Sequence, residues 1–247
     1  MVYRLENTEK VRPLFEGWEE TLIYSCLQKV MGDIYVTDTQ QPKAAQAYIG
    51  DFCFFTGEPN KELVEHKQNF VIMVPQNEEW AHLIEECYPD CSKRVTRYAI
   101  RKDTRFDEER LKQYAADLPE GYRLSLVDDS LYQACLSCGW SRDLVSVFAD
   151  KDEYRQKGLG VVALKREEIV AGASSYISYR EGIEIEVDTR EDERRKHLAT
   201  ACSARLILEC LKRGLYPSWD AQNWNSVRLS QKLGYEFSHE YPAYEVW

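Results

Sequence analysis

Two spacings of apolar residues alternate along the chain, and they divide it into helices and strands. From Thr8 to Asp33, TEKVRPLFEGWEETLIYSCLQKVMGD sets charges between apolar positions at helical spacing. The runs 34–38 (IYVTD), 45–57 (AQAYIGDFCFFTG) and 70–75 (FVIMVP) are rich in β-branched and aromatic residues and predict strands. A short helix is expected over 77–90, with Asn77 as N-cap and Pro89 past its end, then a strand over 94–102. A helix over 107–119 is ended by Pro119.

The turn signal PEGYRL suggests a domain boundary, giving an N-terminal α/β domain over 1–118 and a second domain over 119–247. The second domain opens with a strand over 122–128 and a helical stretch over 129–150. GVVALKREEIVAGASSYI, with its charged middle, predicts a hairpin. A strand, REGIEIEVDT, leads into a long helix, RRKHLATACSARLILECLKRG, closed by Gly214. A strand (YPSWDAQ), a helix closed by Gly234 and a final strand complete the chain.

Two phrases compete as a phosphate-binding loop. EYRQKGLGVV has the Arg and the paired glycines, but a hairpin follows it and no strong strand precedes it. A phosphate cradle needs a strand before it and a helix N-terminus behind it. RRKHLATACS meets both conditions. Leu198, Cys202, Leu206 and Cys210 form one apolar stripe of its helix. Arg194, Arg195 and Lys196 gather positive charge where the helix dipole is already positive, an arrangement that suits an anion. Ala199 and Thr200 are small enough for a ligand to approach.

On these residues the second domain resembles the GCN5-related N-acetyltransferase (GNAT) superfamily, and in particular the branch that includes the zwittermicin A resistance acetyltransferase. The family pattern Arg/Gln-x-x-Gly-x-Gly/Ala is matched by RRKHLA, with Arg194 first, His197 at the first Gly and Ala199 last. PSWDAQNWNSVRLSQKLGYEF is similar to a second family block, and GLGVVAL also resembles this branch. The resemblance covers residues 120–247. It implies an α/β (α+β) fold: a mixed, twisted sheet with splayed central strands, flanked by helices, after the N-terminal α/β domain.

The resemblance further implies acetyl-CoA as cosubstrate. Its pantetheine arm would follow the backbone near Val187 and Thr189, and its pyrophosphate would meet Arg194, Arg195, Lys196, His197, Leu198, Ala199 and Thr200. Asn223 and Ser226 would lie near the thioester and the pantetheine. Two positions depart from the family. His197 stands at a Gly whose backbone needs positive φ. Ser230 stands where many members carry a Tyr that protonates the thiolate; Tyr235, Tyr241 and Tyr244 are candidate substitutes.

Acetyl transfer to an amine requires a neutral nucleophile, and an alkylamine with a pKa of about 10.4 is protonated at neutral pH. A carboxylate base is therefore expected. Glu184 and Glu186 share one strand face, and Glu184 is preferred because it lies further from the loop; Asp220 is a further candidate. These readings predict transfer of an acetyl group to a primary amine on a small molecule, such as an antibiotic or metabolite. The alternative is a non-catalytic acyl-CoA-binding or regulatory module, favoured by His197 and Ser230.

Charge and composition narrow the partners. A net charge of −10 argues against general nucleic-acid binding. No uncharged apolar run nears the ~20 residues that span a bilayer, so a cytoplasmic protein is expected. Of the eight cysteines, Cys87/Cys91 and Cys135/Cys138 have ligand spacing, but zinc would require the two pairs to meet or nearby histidines, and no metal is expected. The family's habit makes a homodimer a reasonable expectation.

Overall fold

The computed structural model describes residues 1–247. Two compact units form: Met1–Tyr98 with His239–Trp247, and Ala99–Ser238. The boundary expected near residue 118 falls inside the second unit. PEGYRL is only a turn there, with Gly121 at φ +82°, and residues 99–118 pack with the rest of that unit.

The first unit contains β1 (Tyr3–Arg4), α1 (Thr21–Gln28), β2 (Asp33–Val36), β3 (Ala44–Ile49), β4 (Phe52–Gly57), α2 (Lys61–Glu65), β5 (Val71–Pro75), α3 (Glu78–Cys87) and β6 (Ser92–Ile100), which continues into the second unit. The apolar pattern over 8–33 gives two 3-10 turns and only the short α1. Gly17, at φ +77°, separates them with a backbone conformation that no long helix contains. The run 45–57 is a hairpin of β3 and β4, in which Gly50 at φ +53° makes the turn. β4 and β5 are parallel, with α2 between them in sequence. Asn77 caps α3, its side chain accepting from Trp80 N. Trp80, Phe55, Met73 and Ile84 are central to this unit's core.

The second unit contains α4 (Glu108–Ala116), β7 (Tyr122–Leu126), α5 (Asp129–Ser137), α6 (Lys151–Lys157), β8 (Gly160–Lys165), β9 (Glu168–Tyr179), β10 (Gly182–Thr189), α7 (Leu198–Lys212), β11 (Tyr216–Ser218), β12 (Asp220–Ala221) and α8 (Trp224–Leu233). β13 (Phe237–Val246) returns the chain to the first unit. A five-stranded mixed sheet, in the order β11-β10-β9-β8-β7, is its centre. β8 and β9 form the expected hairpin. α7 packs on β8, β9 and β10 and also against α4.

Two expectations change here. The helical stretch over 129–150 is α5 followed by a 3-10 turn at Arg142–Leu144. YPSWDAQ is two strands, and β12 is not part of the five-stranded sheet.

The glycines of EYRQKGLGVV have a packing role rather than turn chemistry. The phrase begins inside α6, no strand directly precedes its glycines, and neither Gly158 nor Gly160 has positive φ. A Cβ on Gly158 would lie 2.5 Å from the Tyr154 ring, and one on Gly160 would lie 2.3 Å from its hydroxyl. That hydroxyl is buried against Ser174 Oγ, 2.8 Å away.

Candidate active site

β10 and β11 run parallel for only three register pairs, Gly182↔Tyr216, Ile183↔Pro217 and Glu184↔Ser218. β10 then continues to Thr189, while β11 ends at Ser218. The two strands fork beyond Glu184 and Ser218. Past the fork, β10 keeps its partner β9, and no strand of the five-stranded sheet runs along its other side. Val187 and Thr189, both half-buried, lie on this segment.

At the fork β9 carries one extra residue. Glu184 opposes Ile177 and Ile185 opposes Ser175, so Tyr176 is unmatched. The extra residue lies on β9, so the alternation of β10 is unbroken. Gly172, the register partner of Asp188, faces Leu144, whose Cδ1 would be 2.5 Å from a Cβ there. Asp188, Glu186 and Glu184 therefore share the face turned to the Arg142–Leu144 turn, while Ile183, Ile185 and Val187 take the opposite face.

Glu184 is only 3% exposed. Its Oε2 is 4.0 Å from Lys102 Nζ, which donates to the Trp219 carbonyl at 3.1 Å. Asp188 is the third carboxylate of the row and is absent from the candidates drawn from sequence. Its one signal there is the alternation E-x-E-x-D. Burial pushes its pKa up, Asp143 adds to this, and a hydrogen bond from Thr189 N with the charge of Arg194 opposes it. Asp220, in β12, is half-buried.

β10 leads into the basic loop. His197 is in the left-handed region (φ 64°, ψ 7°), as expected from its place at the family's Gly, and Arg195 is there too (φ 62°). His197 is the N-cap of α7, and its side chain makes no capping hydrogen bond to this 15-residue helix. The first turn of a helix presents N–H groups without intrahelical partners and the positive end of the dipole.

The three expected cations have different surroundings. Arg194 and Arg195 are exposed, with Arg194 Nε 3.4 Å from the Thr189 carbonyl. Lys196 turns inward: its Nζ donates to Glu193 at 2.6 Å, and Lys165 Nζ donates to the same carboxylate at 2.7 Å. The Tyr122 hydroxyl donates to it as well. These bonds, that of Lys165 foremost, hold the 2%-exposed Glu193 carboxyl down at about 2. The charge of Lys196 is thus largely satisfied within the loop.

A different lysine, unmarked in the sequence, stands at the helix start. Lys232 Nζ is 3.3 Å from His197 Nδ1 and 3.4 Å from Thr200 Oγ1, and it lies over the Tyr114 ring. Leu198 is buried beneath the loop, and Ala199 is half-buried. An open helix start flanked by Arg194, Arg195 and Lys232, joined to a forked strand edge, fits an extended anionic thioester such as acetyl-CoA.

The second family block serves local structure as well. Asn223 caps α8, its side-chain oxygen accepting from Asn225 N and Ser226 N. Ser226 Oγ accepts from the Trp219 indole at 3.0 Å. Ser230 is buried and donates to the Val227 carbonyl. Tyr235 is buried, its hydroxyl donating to the Pro217 carbonyl at 2.6 Å, and burial raises its pKa. Tyr244 is in the core of the first unit, bonded to Glu85, and Tyr241 also belongs to that unit. Cys87 and Cys91 lie in the first unit, Cys135 and Cys138 in the second. No helix is long and apolar enough to cross a membrane.

Comparison with known proteins identifies the family whose fold carries this fork and loop. Residues 12–244 match the GNAT acetyltransferase family, so the chain belongs to that family, whose enzymes take an acetyl group from acetyl-CoA. A Bacillus subtilis (strain 168) protein, "Uncharacterized N-acetyltransferase YdfB", is 24% identical over 242 residues, spanning 91% of this chain and 89% of that one. A GCN5-related N-acetyltransferase-like protein from Streptococcus suis 89/1591 is 49% identical, with a TM-score of 0.94, covering 98% of this chain and 99% of its own. A tandem GNAT protein from the clavulanic acid biosynthesis pathway shares the fold, with a TM-score of 0.57 at 10% identity, covering 100% of this chain and 98% of its own.

Proposed function

We propose that the protein transfers the acetyl group of acetyl-CoA to a primary amine of a small molecule, such as an antibiotic or metabolite. The observation that carries this reading is the fork at Glu184/Ser218 beside the open N-terminus of α7. The pantetheine arm follows the backbone of β10 near Val187 and Thr189. The pyrophosphate meets the Arg194–Thr200 loop, with Arg194, Arg195 and Lys232 supplying charge. Asn223 and Ser226 flank the thioester end.

Glu184 is the preferred base, because it sits at the fork itself; Glu186 and Asp220 are the alternatives. The amine gives up its proton and attacks the carbonyl carbon directly, and the backbone N–H near Val187 donates to the oxyanion. Coenzyme A leaves as a thiolate. A thiol of ordinary pKa, about 8.5, departs without a strong acid, which suits a site where Ser230 and Tyr235 are committed to backbone carbonyls. We further propose a cytoplasmic protein and, on the family's habit, a homodimer.

The test is thiol release from acetyl-CoA across a broad panel of primary amines, with calorimetric binding of acetyl-CoA in parallel. Amine-dependent release that falls about 10²–10⁴-fold in Glu184→Gln supports the reading. Tight binding without turnover for any amine would favour a non-catalytic acyl-CoA-binding module instead.

A further inference from the structure

Lys102 belongs to no motif, yet it reaches the fork. The segment that carries it is fastened to β11. The Tyr216 hydroxyl donates to the Arg101 carbonyl and accepts from Thr104 N, each at 3.2 Å, and Phe106 packs on the rings of Tyr216 and Tyr235. From there the lysine side chain, 15% exposed, lies beside the 4%-exposed side chain of Glu184. Its hydrogen bond to the carbonyl of Trp219 ties it to the first residue past the last β10–β11 pair. One ammonium thus touches both arms of the fork.

A carboxylate buried this deeply is costly to charge unless a counter-charge accompanies it. Other polar groups also lie near the fork. Tyr235 and Tyr216 are phenols with pKa raised by burial. Tyr179 lies near Gly182 on the neighbouring strand, and Glu186 two residues on is a like charge. Asp103, next to Lys102, is bonded to Arg101. Ser218, the register partner of Glu184, has a fully buried hydroxyl with no hydrogen-bond partner, on the same sheet face. That hydroxyl is suited to a polar ligand atom at the fork.

We infer that Lys102 is a positioning residue for Glu184: it holds the carboxylate charged and aimed at the fork, where an acceptor amine also meets Ser218. The inference rests on the acetyl-transfer reading. In the step it supports, the amine nitrogen forms a bond to the carbonyl carbon and the carbon–sulfur bond breaks. The proton of the amine passes to Glu184, and the electron pair leaves with the sulfur of coenzyme A.

The test is a carboxyl titration followed by NMR on protein labelled with carboxyl-¹³C glutamate, with Glu184→Gln identifying the Glu184 signal. Removing the ammonium in Lys102→Met should raise the midpoint of that signal by about one pH unit, a tenfold change in proton affinity. Lys102→Arg should restore it. Lys102→Gln, which keeps a donor for the Trp219 carbonyl but not the charge, should behave like Lys102→Met and serves if that variant does not fold. An unchanged midpoint in the uncharged variants overturns the inference, as does a midpoint in Lys102→Arg that matches theirs. Calorimetry with acetyl-CoA on the wild type is independent: absence of binding sinks the acetyl-transfer reading, while the titration still decides the role of Lys102.

Discussion

At His197 the chain uses a residue that is disfavoured where it stands. A non-glycine side chain at φ 64° carries a strain of roughly 1 kcal/mol. His197→Gly should therefore raise stability by about 0.5–1 kcal/mol in urea unfolding and leave acetyl-CoA affinity unchanged or better. A loss of affinity would mean that the imidazole itself, held near Lys232, contacts the ligand. The glycines of EYRQKGLGVV make the opposite prediction. Gly160→Ala forces a methyl into the Tyr154 hydroxyl and should cost about 1–3 kcal/mol of stability, with acetyl-CoA affinity little changed. A large affinity loss in a variant that remains folded would return the phosphate site to that loop. Positive φ at His197 was legible, because the family pattern has Gly there. The packing at Gly160 was not, since Tyr154 meets it only after α6 and the β8–β9 hairpin have formed.

The basic loop shows what a local pattern reveals and what it hides. Strand, loop and helix over 182–212 follow from alternation, charge and helical spacing. The partners of those charges do not. Lys165 is 28 residues from Glu193, Tyr122 is 74 from Lys196, and Lys232 is 35 from His197. The result is a division of labour: Lys196 and Lys165 neutralise Glu193, and Arg194, Arg195 and Lys232 remain at the helix start. Changing both Arg194 and Arg195 to Ala should weaken acetyl-CoA binding by about tenfold or more, some 1.4 kcal/mol or above, by calorimetry. Glu193 should matter for stability. Its folded pKa of about 2 lies below its ordinary value of 4.5, so its contribution is fully present above about pH 4.5 and is lost as pH falls through about 2. The stability gap between wild type and Glu193→Gln, measured by urea unfolding, should shrink over that window. A gap independent of pH would mean that the carboxylate's charge is not what the loop uses.

On the scale of the whole molecule, the turn residues near 118 suggest a division there, whereas the compact units divide at Tyr98/Ala99 and Ser238/His239. PEGYRL looks like a linker because its residues favour turns, and turn chemistry is the same inside a unit as between units. What assigns residues 99–118 to the second unit is tertiary. Leu111 is 1% exposed in α4, which packs on α7, and Phe106 fills space against Tyr216 and Tyr235. None of these contacts is local in sequence, so no window of the chain displays them. The difference can be measured with two fragments sharing one end, 99–238 and 119–238. The shorter lacks Leu111, Phe106 and the Arg101–Thr104 segment fastened to Tyr216. Loss of one buried Leu alone costs about 2–5 kcal/mol, a large part of the roughly 5–15 kcal/mol that stabilises an ordinary domain. The shorter fragment should therefore lose cooperative thermal unfolding, or melt well below the longer one. Equal melting temperatures would show that residues 99–118 are dispensable for the fold of this unit, and would move its boundary back to residue 118.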